Sequence, residues 1–293
     1  MQNIVNNIGM KKVKAVSLLF IASIVVLSCI EKKSYDSPPG YDLNKPVKIY
    51  MPDALTEISG IAFHNGDPKM IYAEQDEDGR VYYFSPADIH LMSTKFDRKG
   101  DYEDIAILNE QVIMLRSDGV LFTFPFNQIG KPIAAGVKKL DNILPDGEYE
   151  GLYGDTKTNQ LYVLCKHCSD EKTSKVGGGY IFKLLPNGTV KQNGQFSIDV
   201  KQIEAQLGKK KVDLHPSALA KNPRTNEWYI LSSVNKILVV ADANWKVKQV
   251  YAINPSLFLQ PEGIAFDNKN NLYISNEGDK ITAGTVYKFN YKP

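Results

Sequence analysis

Beyond residue 46 the chain is built from short apolar runs separated by polar turns. Asn, Asp, Gly and Pro cluster between the runs at intervals of about 8 to 12 residues. Four such turns are His64-Asn-Gly-Asp67, Asp155-Thr-Lys-Thr-Asn159, Asn222-Pro-Arg-Thr-Asn226 and Asp267-Asn-Lys-Asn-Asn271. Runs of strand character follow: Met70 to Gln75, Val112 to Arg116, Leu161 to Lys166, Trp228 to Ser233 and Leu272 to Asn276. A third set is rich in aromatic and β-branched residues: Val81 to Phe84, Val120 to Phe124, Tyr180 to Leu184, Ile237 to Val240 and Val286 to Phe289. Such residues fit a pleated, half-buried surface, so the pattern predicts many short antiparallel strands.

The pattern also repeats. Glu57-Ile-Ser-Gly-Ile-Ala-Phe63, Glu103-Asp-Ile-Ala-Ile107, Glu150-Gly-Leu-Tyr-Gly154, Ser217-Ala-Leu-Ala220 and Glu262-Gly-Ile-Ala-Phe266 align, with starts 46, 47, 67 and 45 residues apart. A period of this size marks a propeller or array. The last repeat ends after three strands, and an orphan strand, Val47 to Met51, precedes the first. Ring closure solves both problems, because the N-terminal strand then completes the last blade and no long sheet edge is left open. The expectation is an all-β fold, a five-bladed β-propeller over residues 46–293. A six-bladed ring is the alternative. The surplus in the 67-residue interval is too short for a further blade. A polar loop from His167 to Gly178 and one short helix face in Ile198 to Leu207 account for it. Gly177-Gly-Gly179 reads as a flexible hinge into the strand at Tyr180.

The N-terminus has a different character. Lys11, Lys12 and Lys14 precede an apolar run, Ala15 to Leu27, too short to span a bilayer comfortably. Val26-Leu27-Ser28-Cys29 then resembles a lipobox. Residues 1–28 are therefore expected to be a lipoprotein signal peptide, with Cys29 the acylated first residue. Residues 29–45, polar and rich in Pro and Gly, read as a tether. The expected location is the bacterial cell envelope. There the chain is lipid-anchored, to the outer membrane in preference to the inner, and faces the periplasm or exterior.

Composition adds little. The chain is 43% hydrophobic and 23% charged, with formal charge +2. Loss of the three leader lysines takes it to −1, which gives no electrostatic case for nucleic acid. A monomer is expected.

The repeats resemble the SdiA-regulated (YjiK-like) propeller family, a distant relative of NHL-repeat propellers. The residues that carry the resemblance are Glu57-Ile-Ser-Gly-Ile-Ala-Phe63, Asp101-Tyr-Glu-Asp-Ile105, Glu148-Tyr-Glu-Gly151, His215-Pro-Ser-Ala218 and Gln260-Pro-Glu-Gly-Ile264. It implies five blades and calcium bound within the propeller, and it implies no particular reaction. Looser similarity extends to calcium-dependent propeller hydrolases.

Four repeats open with glutamate: Glu57, Glu103, Glu150 and Glu262. Ring symmetry would bring these to one channel mouth. Converging carboxylates need protons or a cation, and calcium takes six to eight oxygens in loose geometry. These four are the candidate metal ligands, and Asp101, Asp104 and Glu148 are near enough in sequence to add oxygens. The competing reading has each glutamate bonded within its own blade. His215, Arg116, Lys166 and Asn276 are candidate ligand-binding residues, weighed against solvated strand ends. Cys165-Lys-His-Cys168 reads first as a structural disulfide or free pair; a redox pair and half a zinc site are the alternatives. No catalytic triad can be assembled. The expected function is a tethered propeller that holds calcium and a small ligand or protein partner at one face. The alternative is a calcium-dependent hydrolase of phosphoesters or lactones.

Overall fold

The computed structural model describes residues 34–168 and 176–293. The expected signal peptide and the lipidation site Cys29 lie outside the described residues. Among those residues no helix is long and apolar enough to cross a membrane.

The strands are β1 (Val47–Tyr50), β2 (Ile58–Ala62), β3 (Ile71–Gln75), β4 (Arg80–Ser85) and β5 (Asp88–Lys95). Next come β6 (Tyr102–Leu108), β7 (Gln111–Arg116), β8 (Leu121–Pro125) and β9 (Lys138–Leu140). They are followed by β10 (Gly147–Asp155), β11 (Gln160–Cys168), β12 (Val176–Leu184) and β13 (Val190–Asp199). After a helix come β14 (Ala218–Lys221), β15 (Trp228–Ser232), β16 (Ile237–Ala241) and β17 (Val247–Ala252). The last three are β18 (Pro261–Phe266), β19 (Leu272–Asn276) and β20 (Thr285–Phe289).

They form five four-stranded sheets: β2 to β5, β6 to β9, β10 to β13, β14 to β17, and β18-β19-β20-β1. The first strands touch in a closed cycle, β2 on β6, β6 on β10, β10 on β14, β14 on β18, and β18 on β2. This is the expected five-bladed propeller. The closure is the expected one too, with β1 antiparallel to β20 from Val47 opposite Lys288 to Tyr50 opposite Thr285.

The apolar side chains fill the gaps between blades. One cluster lies between blades 3 and 4, where Trp245 stacks on Trp228 at 4.1 Å and on Phe196 at 3.9 Å. Four equivalent clusters fill the other gaps. The long third repeat uses its surplus in longer strands and in α1 (Val200–Leu207). Asp199 caps α1 by accepting from the Lys201 N–H, Gly208 ends it in the left-handed conformation, and Val200 and Ile203 are buried.

Two expectations are corrected. Gly177, Gly178 and Gly179 are not a hinge; they are paired inside β12. A Cβ at Gly179 would stand 2.0 Å from the Val163 carbonyl oxygen, so only glycine fits there. The stretch 34–45 is not a free tether either. Tyr41 and Leu43 are buried in the core between blades 4 and 5. Polar composition had concealed two apolar anchors.

Candidate functional site

A propeller blade packs both sheet faces against its neighbours, so its first strand offers mainly a backbone edge to the channel. Here a β-bulge changes that. The pairing of first and second strands slips between Tyr102 and Asp104, between Tyr149 and Gly151, and between Pro261 and Gly263. The residues inserted are Glu103, Glu150 and Glu262. A slip between Ile58 and Ile61 spans Ser59 in blade 1. Bulges re-aim side chains, and these face the channel.

The pairings fix the true register. Ile61, Ile105, Leu152, Leu219 and Ile264 occupy one equivalent position. Two residues back, the inner ring is therefore Ser59, Glu103, Glu150, Ser217 and Glu262. Two further back, the outer ring is Glu57, Asp101, Glu148, His215 and Gln260. All ten line one cavity of 470 Å³ at the channel mouth. Glu57 thus belongs to the outer ring and not beside Glu103, Glu150 and Glu262. The family-like segments starting at Glu57, Asp101, Glu148, His215 and Gln260 are in the correct register. The glutamate-led alignment slips by two residues in blade 1.

Lys166 in β11, and Asp76, Ser233 and Glu277 one residue past the ends of β3, β15 and β19, add to the same cavity, and Lys236 joins from the β15–β16 turn. Asp76 and Lys236 were missed. In the second strand of blade 1 the offset is one residue: moving from Gln75 to Asp76 puts Asp76 in the column of Lys166, Ser233 and Glu277. Arg116 and Asn276, expected as ligand residues, are absent from the lining. Each precedes the column by one residue, and strand alternation turns it to the other sheet face. Arg116 instead forms a fork on Asp118 (2.9 and 2.7 Å) and lies over Phe122. Asn276 is buried with no partner for its amide among the described residues.

Among the described residues, eight carboxyl groups line this cavity with three basic side chains, Lys166, His215 and Lys236. Lys166 bridges Glu148 (2.8 Å) and Glu150 (2.7 Å). His167 Nδ1 holds the other Glu148 oxygen at 2.8 Å, and its ring faces His215 with centroids 4.7 Å apart. For Glu148, burial alone would raise the pKa; the bonds from Lys166 and His167 carry it below its usual range. Asp76, Glu103, Glu150, Glu262 and Glu277 go the other way. Burial and the Glu150 charge push Glu103 far up, and the two share a hydrogen bond that needs a proton. Burial, then Glu150, raises Glu262 to about 7. Burial, then Glu57, raises Asp76 to about 6. Burial, then Asp76, raises Glu277. Asp76 Oδ1 is buried without a partner among the described residues. Cys165 and Cys168 are disulfide-bonded beside Lys166 and His167.

The donor set is oxygen-rich, which suits a hard divalent cation and not zinc. In the present rotamers, no three His, Cys, Asp or Glu side chains among the described residues converge as a metal-holding group. Within its own blade Glu150 is bonded to Lys166, and across the blades it meets Glu103.

The other channel end is different. Its cavity of 290 Å³ has a floor of Ala62, Ala106, Ala220 and Ala265 with neighbouring Ile and Leu residues. Its rim is the Asn-rich hairpins, and its buried Asp155 is neutralised by Lys221 at 3.2 Å.

The family described as SdiA-regulated matches residues 40–281. None of the curated proteins matches the chain. Among solved structures, a luciferin-regenerating enzyme is similar with TM-score 0.53 and 11% identity, covering 84% of this chain and 95% of its own. Glutaminyl cyclase of Myxococcus xanthus is similar with TM-score 0.51 and 15% identity, covering 85% and 98%. At such identity the likeness is one of fold.

Proposed function

Because the chain belongs to the SdiA-regulated family, whose propeller here carries an acidic channel mouth, we propose that it is a membrane-tethered lipoprotein that binds calcium at that mouth, together with a small ligand or protein partner. The observation that supports this best is the surplus of acid among the described residues: eight carboxyl groups around one cavity, several forced up in pKa, against Lys166, Lys236 and His215. A bound divalent cation removes the need for those protons. Glu103, Glu150, Glu262 and the outer-ring Glu57 would hold it, with Asp76 and Asp101 within the same cavity. Calcium would supply charge neutralisation and open coordination positions for an anionic or neutral oxygen of the ligand.

Exposed Val234, Leu259 and Ile281 sit on loops at the same end. An apolar rim around a charged centre fits an amphipathic ligand or a partner surface. The lipid anchor rests on Val26-Leu27-Ser28-Cys29.

A second reading is a calcium-dependent hydrolase of phosphoesters or lactones. It is favoured by His215 and Lys166, which line the same cavity as the carboxylates, and weakened by Arg116, which does not. A pocket-borne histidine within reach of a cation is what general-base chemistry needs.

The test is thermal melting of residues 34–293 with calcium, magnesium or neither. Calcium at about 100 times its dissociation constant should add about 2.7 kcal/mol, or roughly 5 °C or more. An unchanged melt with millimolar calcium removes the metal and with it the hydrolase. A calcium effect followed by turnover in a phosphoester and lactone screen, abolished by His215→Ala, moves the balance to the enzyme.

A further inference from the structure

We infer that the propeller is held with its Asn-rich hairpin end toward the membrane and its acidic mouth turned away from it. The inference rests on the lipid-anchor reading and adds a direction to it.

The direction comes from the docked segment, residues 34–45. Tyr41 is wedged between the hairpins of blades 4 and 5. Its hydroxyl donates to the Asn270 carbonyl at 2.7 Å and accepts from the amides of Asn270 (2.8 Å) and Asn222 (3.2 Å). Its ring meets Tyr229, Phe266 and Tyr291. Asn222 and Phe266 line the cavity at the hairpin end. Gly40, at φ +87°, accepts from the Lys292 N–H, and a Cβ there would strike the Tyr291 ring. Upstream, the chain doubles back on itself. The Tyr35 N–H donates to Asn44 Oδ1 at 3.0 Å, and the Asn44 amide donates to the Tyr35 carbonyl at 2.7 Å. The described chain therefore starts beside Asn44, just before β1 enters at the hairpin end opposite Lys288.

Length then decides. Five residue steps separate Ser34 from Cys29. Fully extended, they reach about 17 Å. The inner strand β10 runs from the mouth at Gly147 to the hairpin end at Asp155, about 27 Å at 3.3–3.4 Å per residue. The linker is too short to bring the mouth against the bilayer. Charge acts in the same direction, since an anionic lipid surface repels the mouth. The hairpin end has its buried acid paired. A calcium ion and partner would therefore meet the mouth from the open side.

The experiment uses the full-length lipidated protein in vesicles of phosphatidylethanolamine and phosphatidylglycerol. A single cysteine is placed at the mouth (Val234→Cys) or on the hairpin end (Thr156→Cys) and carries an environment-sensitive dye. With Cys29 acylated and Cys165 bonded to Cys168, the introduced thiol is the one that reacts. Spin-labelled lipid headgroups should quench the Thr156→Cys dye several-fold more than the Val234→Cys dye. Vesicle flotation with equal quenching, or with the mouth dye quenched more, overturns the orientation and leaves the anchor standing. Wild-type protein that fails to float, or a Cys29→Ser variant that floats equally well, overturns the anchor and the orientation with it.

Discussion

The two ends of the channel are made by the same five strands and are chemically opposite. At the hairpin end every carboxylate near the axis has a partner. Asp155 is met by Lys221 and the Lys157 N–H, and Asp267 by Asn271, Tyr273 and the Lys269 N–H. At the mouth, acids outnumber their partners, and one buried oxygen, Asp76 Oδ1, has none among the described residues. Buried carboxylates in a structural element are paired. A surplus marks a place where something from outside is expected. The hairpin end reads as construction and the mouth as a site.

The largest effect expected is on the construction side. Tyr41→Ala removes a buried ring and two amide contacts and should cost about 3 kcal/mol in urea unfolding. Calcium affinity at the mouth should not change. If affinity falls with stability, the two ends are not separable in the way described here.

The mouth should show itself in the pH dependence of stability. Glu262 and Asp76 have folded pKa values raised to about 7 and about 6, first by burial. The folded state then binds more protons than the unfolded one between the ordinary carboxylate range and those values. Stability therefore falls as pH rises from about 4 to 7. Without calcium the melting temperature should drop by several degrees across that window, and saturating calcium at pH 7.5 should restore it. A flat profile would mean the mouth carboxylates are already compensated.

A smaller effect separates paired from unpaired acids. Lys166→Met removes the cation between Glu148 and Glu150. One positive charge less at the mouth should tighten calcium by about tenfold, about 1.4 kcal/mol. The same change at the hairpin end, Lys221→Met, should leave calcium affinity unaltered and show only as lost stability. Calorimetry on both variants reads the contrast.

The propeller was legible in the sequence because turn residues and strand runs recur with a fixed period, and ring closure follows from a missing strand at one end and a spare at the other. The site was legible only in part. Glutamate identity placed Glu103, Glu150 and Glu262 together, but it drew Glu57 into their ring when the apolar position after it, Ile61, belongs two residues later in the unit. A bulge adds a residue without leaving a mark in hydrophobic pattern, so register had to come from pairing. Arg116 and Asn276 were misplaced by the alternation of a strand, where one residue decides which face a side chain takes. Tyr41 and Leu43 were hidden by their polar surroundings; their anchoring depends on distant partners such as Asn270 and Tyr291.

The most direct test of the acidic mouth as a calcium site is titration calorimetry of calcium into metal-stripped residues 34–293 at pH 7.5, with Glu103→Gln and Glu262→Gln alongside. The account predicts saturable binding by the wild type and weakening of at least tenfold in each variant. Absence of binding in the wild type, or binding that both variants retain in full, would contradict it.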